Sequence, residues 1–310
     1  MTSERSSHKK LAFYDQIGDR TRPRIALMGE FSAGKSTLAN LMIGSDPLPM
    51  QVIATQLPPV WISYGTGTAA IIDLEGNDSE CDLEKPQKIS SENTAFIRIQ
   101  RQEQILQMCD IIDMPGISDP NMPADVWARI LPFADAVIWC TPATQAWRQS
   151  EAAVWETVPA HIQEKSILLL TRADMLISEK DRSKVLKRVT AETENVFAKC
   201  CLMSLTLARD AADDPDQWEC SGAEAFVTDF LDIVADLTHG IAKGETTEPF
   251  ELECISKPEE TGPTGDLEVC KQDADNGRVV PRRPVAKTVR ARTDDFTEAV
   301  ETLSLSPKFS

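Results

Sequence analysis

No run of about 18 apolar residues occurs in this 310-residue chain, and its start, Met1 to Lys10, is polar and charged with no apolar stretch behind it. Neither a membrane-crossing helix nor an export signal is expected. Positive charge is scarce: 32 Lys and Arg stand against 49 Asp and Glu, a formal net charge of −17. Most of such a surface repels a phosphate backbone, so no nucleic-acid partner is expected. The eight cysteines include the adjacent Cys200 and Cys201 but no C-x-x-C pair, which leaves no zinc or redox signature. They read as reduced thiols of a cytoplasmic protein, several buried as small apolar groups. A hydrophobic share of 42% is ordinary and supports one large globular domain with appendages.

What is present is an alternation of short apolar runs and helical patterns from about Arg24 to His239, the signature of a layered α/β domain with a largely parallel sheet. Strands are expected at Arg24 to Met28, Ala95 to Gln100, Met108 to Asp113, Ala136 to Cys140, Ser166 to Thr171 and Lys199 to Leu205. Val60 to Tyr64 and Ala69 to Leu74 read as a pair broken by the turn Gly65-Thr66-Gly67. Helices are expected at Ser36 to Ile43, Met122 to Leu131, Gln149 to Thr157 and Glu179 to Phe197, and Gly76 to Ser91 reads as a surface loop. A last helix from about Ala223 to His239 carries Phe226, Phe230, Ile233 and Leu237 on one face. A shorter stripe near the start holds Leu11, Tyr14 and Ile17. The chain divides into residues 1–22, an N-terminal helical segment; 23–244, the main domain; and 245–310, a tail. The tail is first acidic, with too few large apolar groups to order, and then basic from Arg278 to Arg292. Thr293 can cap a short final helix presenting Phe296, Val300 and Leu303, suited to a partner or an anionic membrane.

The chemistry is carried by three separated motifs. Gly29-Glu30-Phe31-Ser32-Ala33-Gly34-Lys35-Ser36-Thr37 matches G-x-x-x-x-G-K-S between an apolar strand and a helix. Backbone N–H groups of such a loop face phosphates, Lys35 reaches the β- and γ-phosphates, and the Ser36 hydroxyl ligates Mg²⁺. Downstream, Asp113-Met114-Pro115-Gly116 supplies D-x-x-G. Asp113 is expected to hold Mg²⁺ through water, and the Gly116 N–H to sense the γ-phosphate. Thr171-Arg172-Ala173-Asp174 ends an apolar strand. A carboxylate at Asp174 can accept from N1–H and the 2-amino group of guanine, which adenine cannot match; Arg172 stands where GTPases usually carry Lys, and a guanidinium also stacks on flat rings. Thr55 is the candidate first-switch threonine, coordinating Mg²⁺ and contacting the γ-phosphate. Ser204 is placed beside the guanine edge.

With these pieces assembled, the sequence resembles the G domain of dynamin-like GTPases, the bacterial group in particular, over about Phe13 to Gly240. The stretch from Gly29 through Lys35-Ser36-Thr37-Leu38-Ala39-Asn40 carries the likeness, with Asp113-Met114-Pro115-Gly116 and Thr171-Arg172-Ala173-Asp174 beside it. The resemblance implies a three-layer P-loop NTPase G domain, mostly parallel with helices on both faces. It implies GTP and GDP as ligands, Mg²⁺ as cofactor, and a nucleotide-dependent homodimer through the G domain. Two departures stand out. Phe31-Ser32 stands where animal dynamins place a Gln-Ser pair, and Ile117 stands where Ras-like enzymes use Gln. Ser32, Lys35 and Thr55 are therefore the expected catalytic set, with slow turnover stimulated by a partner. The family's helical stalk is expected to be missing; the stripes at Leu11 to Ile17 and Phe226 to Leu237 read as core-packing faces, with the alternative that they are the remnant of the family's bundle and, where exposed, a docking face for a protein partner. Trp127, Trp139, Trp147 and Trp155 read mainly as core, with Arg148 a candidate trans-acting residue. The expected function is a Mg²⁺-dependent GTPase switch, cytoplasmic with peripheral membrane contact. A non-hydrolysing scaffold that recruits a partner through its tail, or an unrelated ATPase or kinase, is the alternative.

Overall fold

Strands that are apolar on both faces need helices on both sides, and every residue from Ile167 to Thr171 is buried, as is every residue from Arg24 to Gly29. The computed structural model describes residues 12–17, 20–44, 58–82, 89–118, 125–211 and 214–245. Its strands are β1 (Arg24–Gly29), β2 (Val60–Tyr64), β3 (Ala70–Asp73), β4 (Asp78–Glu80), β5 (Thr94–Arg101), β6 (Asp110–Asp113), β7 (Ala136–Pro142), β8 (Ile167–Thr171) and β9 (Lys199–Leu202). The helices are α1 (Lys35–Ile43), α2 (Gln104–Met108), α3 (Asp125–Ala128), α4 (Gln149–Trp155), α5 (Ala160–Gln163), α6 (Glu179–Glu192), α7 (Leu205–Asp210), α8 (Pro215–Ser221) and α9 (Ala223–Ala242).

The strands form one sheet in the order β4-β3-β5-β2-β6-β1-β7-β8-β9. From β6 through β1, β7 and β8 to β9 all pairings are parallel; β2 meets β6 antiparallel, and β3 is antiparallel to both β4 and β5. Alternation along β1 splits the core into two layers, as the period of a strand requires. Ile25 and Leu27 join Leu38 and Met42 of α1 and Phe226 and Phe230 of α9. Ala26 and Met28 face the other way, toward Trp139, Trp155, Leu168 and Val189. This is the expected three-layer arrangement.

Several expectations need correction. β2 and β3 are not a pair, because the long β5 lies between them, with Ile62 opposite Ile99 and Ile71 opposite Ile97. Gln100 of β5 receives the Gly67 N–H at 2.7 Å, tying down the Gly65–Gly67 turn. β6 begins at Asp110, since Met108 closes α2. α6 stops at Glu192, where Thr193 donates its hydroxyl to the Val189 carbonyl at 2.8 Å, Asn195 turns left-handed, and Phe197 stacks on Trp155 at 4.4 Å. β9 stops at Leu202 because Ser204 caps α7, accepting from the Leu207 N–H at 3.3 Å. The expected loop from Gly76 contains β4. Of the helix expected from Met122 to Leu131, residues 122–124 lie outside the described residues; the rest is α3 followed by a 3₁₀ turn, Leu131–Phe133.

The stripe of the last helix is core and not a docking face. Phe226, Phe230, Ile233 and Leu237 are all buried against the sheet and α1 layer. Near the start, Ala12–Gln16 is a 3₁₀ turn whose Phe13 inserts edge-on between Phe96 and Phe133, at 6.3 and 6.2 Å. Leu11, the Tyr14 side chain and residues 246–310 lie outside the described residues. The substitution Phe230→Ala is expected to cost about 3–5 kcal/mol, as for a buried aromatic, measured by denaturant unfolding. A loss below about 1 kcal/mol would return the stripe to the surface.

Candidate functional site

The carboxyl ends of the parallel strands β1, β6, β7, β8 and β9 open on one edge of the sheet, where ligands of open α/β sheets bind. At the end of β1 the chain must turn close to β7. A Cβ on Gly29, at φ +135°, would lie 2.1 Å from the Cys140 carbonyl oxygen, so only glycine fits. Ser32 and Gly34 are also left-handed, at φ +59° and +98°, and curl the loop into the start of α1. Lys35 is buried, its ammonium donating to the carbonyls of Gly29 at 3.1 Å and Glu30 at 2.8 Å. Ala33 is buried, and Thr37 is exposed in the first turn of α1.

Ser36 donates its hydroxyl to Asp113 Oδ2 at 2.6 Å. Asp113 is buried, and its other carboxylate oxygen, Oδ1, has no hydrogen-bond partner among the described residues. Burial pushes the Asp113 carboxyl above the usual carboxylate range, opposed by the Ser36 bond and the Lys35 charge. An occluded, half-satisfied carboxylate beside a hydroxyl is a donor set of hard oxygens of the kind that suits Mg²⁺. Three residues on, Gly116 packs against the loop. A Cβ there would stand 2.9 Å from Cα and N of Phe31, and the Ile117 N–H reaches the Gly29 carbonyl at 3.2 Å.

The third motif is tied to the first. Thr171, fully buried, donates to the Ala33 carbonyl at 2.8 Å, and the Arg172 guanidinium reaches the Ser32 carbonyl at 2.6 Å. Arg172 is left-handed at φ +58°, so the following turn points Asp174 outward, where Ser204 donates to Asp174 Oδ1 at 2.6 Å. Ser204 is itself buried and held as the cap of α7. The groups expected at the phosphate end and at the base end thus meet across a single loop. Thr55 lies outside the described residues.

Sequence reasoning passed over a cluster beside this loop. The Glu30 carboxylate forms an ion pair with Arg148 and accepts from the hydroxyls of Ser118 and Ser150, each at 3.1 Å. Arg148 is anchored by Glu151, which is fully buried and accepts from Trp139 Nε1, Thr141 Oγ1 and the Arg148 N–H, each at 3.0 Å. Its only sequence signal is an acid at the third position of a helix, the place of a capping-box glutamate. Arg148 lies against its own chain's loop here. Of the four tryptophans, Trp127, Trp139 and Trp155 are buried, and Trp147 packs edge-on against Trp139 at 6.1 Å. The thiols of Cys109 and Cys140 are buried, and burial pushes Cys140 up to about 12, as inert core groups require.

Comparison with known proteins agrees with this geometry. The Dynamin family profile matches residues 25–198. Dynamin-like protein 2 of Campylobacter jejuni subsp. jejuni is 25% identical over 213 residues, 67% of this chain and 34% of its own length. The chain therefore spans about a third of that relative. Two chains from structures of an oligomerised bacterial dynamin pair share the fold at TM-scores of 0.52 and 0.55 and 19% identity. They match 72% of this chain and 45% and 48% of their own. With a matching profile across more than half its length and the phosphate loop, D-x-x-G and base motif joined at one sheet edge, the chain belongs to the dynamin family and carries its GTPase G domain.

Proposed function

We propose that this chain binds Mg²⁺·GTP and hydrolyses it slowly as a conformational switch, with stimulation when a second G domain or another protein closes over the nucleotide. The observation that carries the reading is the pair of bonds from Thr171 and Arg172 to the carbonyls of Ala33 and Ser32. They join the phosphate loop to the base motif. There the N–H groups of the loop from Gly29 to Thr37 that have no bond within the protein and the Lys35 ammonium take the phosphates. Ser36 and Asp113, with Thr55, are assigned to hold Mg²⁺, which when bound neutralises charge on the β- and γ-phosphate oxygens. Asp174 reads guanine, Ser204 fixes the carboxylate that does so, and the Arg172 guanidinium stands at the base end.

Slow turnover follows from what surrounds the γ-phosphate position. Phe31, more than half exposed, and Ile117 cannot orient water, so Ser32 and main-chain groups carry that task until a partner supplies more. Assembly is supported by the structural neighbours, which are chains of an oligomerised bacterial dynamin pair that provides a mechanism for long-range sensing and tethering of membranes. Peripheral membrane contact through the tail belongs to the same reading. Among the described residues no helix is long and apolar enough to cross a membrane.

Two outcomes are expected. The variant Asp174→Asn should lower the preference for GTP over ATP in competition binding by on the order of 10²-fold, the scale set by unpaired polar groups in a specific site. An unchanged preference would remove Asp174 from base recognition. Phosphate release from GTP should require Mg²⁺ and should rise per molecule as protein concentration is raised. A rate independent of concentration and of any partner would contradict stimulated turnover, and no release under any condition would make the protein a nucleotide-locked scaffold.

A further inference from the structure

The Glu30 side chain does not turn to the phosphate side of its loop. Its carboxylate is largely buried, and its three partners come from two different places. Arg148 is the cap of α4 and Ser150 lies in its first turn, a part that is packed in place. Buried Glu151 fixes the Arg148 backbone, and Trp147 and Trp155 pack around Trp139 and Phe197 behind it. Ser118 belongs to the segment that follows D-x-x-G. It is exposed, and it also receives the Phe31 N–H at 3.4 Å. Glu30 thus stands between a part that is packed in place and the short piece Ile117-Ser118, which is held by the partly buried Ile117 and by a few polar contacts.

We propose that Glu30, braced by Arg148, is a positioning residue that keeps the segment after D-x-x-G docked on the phosphate loop, and so raises affinity for a nucleoside triphosphate over the diphosphate. The docked arrangement is the one that brings the Gly116 main chain against the loop. There its N–H stands where a γ-phosphate is taken up, so affinity gains from having that segment docked beforehand. A diphosphate has no γ-phosphate to contact and gains nothing from the same ordering. Arg148 contributes by balancing the carboxylate and fixing its direction. This inference rests on the nucleotide reading given above.

The test is a double-mutant cycle on the full chain, using titration with fluorescent GDP and a fluorescent non-hydrolysable GTP analogue. Glu30→Gln and Arg148→Ala should each lower the ratio of triphosphate to diphosphate affinity by about 3- to 10-fold, the worth of one or two such hydrogen bonds. For Arg148→Ala, which lies outside the phosphate loop, GDP affinity and the thermal midpoint should stay near those of the parent, and Glu30→Gln should change triphosphate affinity more than diphosphate affinity. The double variant should be little worse than either single one, because both act through the same contact, and Arg148→Lys should restore part of the ratio. An unchanged ratio in both single variants, with GTP analogue still bound, would overturn the proposal, as would equal losses for both nucleotides. If the parent protein binds neither nucleotide, the nucleotide reading fails first and this inference with it, which distinguishes the two failures.

Discussion

A buried ammonium group must be answered by oxygen, or its desolvation destabilises the fold by several kcal/mol. Lys35 meets that demand through the carbonyls of Gly29 and Glu30, and this holds the loop wrapped around its own lysine. The left-handed residues Ser32 and Gly34 and the glycine at position 29 exist to allow that wrap. From the wrapped loop run the other ties of the site: Ile117 to the Gly29 carbonyl, Thr171 to that of Ala33, Arg172 to that of Ser32, and Arg148 to the Glu30 carboxylate. The loop carbonyls are used by neighbours; of its N–H groups, that of Phe31 reaches Ser118 and that of Ala33 the Glu30 carbonyl, and the others are proposed to meet the anion.

The parallel sheet makes those neighbours available. In β6, β1, β7, β8 and β9 the chain runs in one direction, so D-x-x-G, the phosphate loop, the Arg148 segment, the base motif and Ser204 all emerge at the same edge. Their separation along the sequence, from residue 29 to residue 204, becomes a separation of one strand spacing between adjacent members. α9 and α1 cover one face of the sheet, α4 and α6 the other. The buried stripe of α9 supports the site by completing the core beneath α1, whose first turn carries Ser36.

How much of this was legible depended on whether a residue's task is local. The G-x-x-x-x-G-K-S loop, D-x-x-G and the base motif are fixed by short-range chemistry, so Lys35, Ser36, Asp113, Gly116, Asp174 and even Ser204 could be named from sequence and were found together. The apolar runs of β1, β7 and β8 were equally plain, because strands buried on both faces carry an unbroken signal. Pairing was not. Nothing in Gly65-Thr66-Gly67 says that β5, thirty residues later, will enter between β2 and β3, since strand order is a long-range choice. The end of α6 was misplaced because aromatic stacking of Phe197 on Trp155 competes with helix propagation. The Glu30 cluster was missed for a related reason: its members, at positions 30, 118, 148 and 150, form no spacing pattern. Its anchor, Glu151, looks like any acid in a first helical turn until its burial is seen.

The central claim is that three separated motifs share one magnesium-bound guanosine triphosphate. Isothermal titration of the unmodified chain with GTP in magnesium buffer tests it most directly. A single saturable site is expected, with ATP weaker by about 10²-fold or more. Folded protein that takes up no GTP, or that takes up ATP equally well, would contradict it.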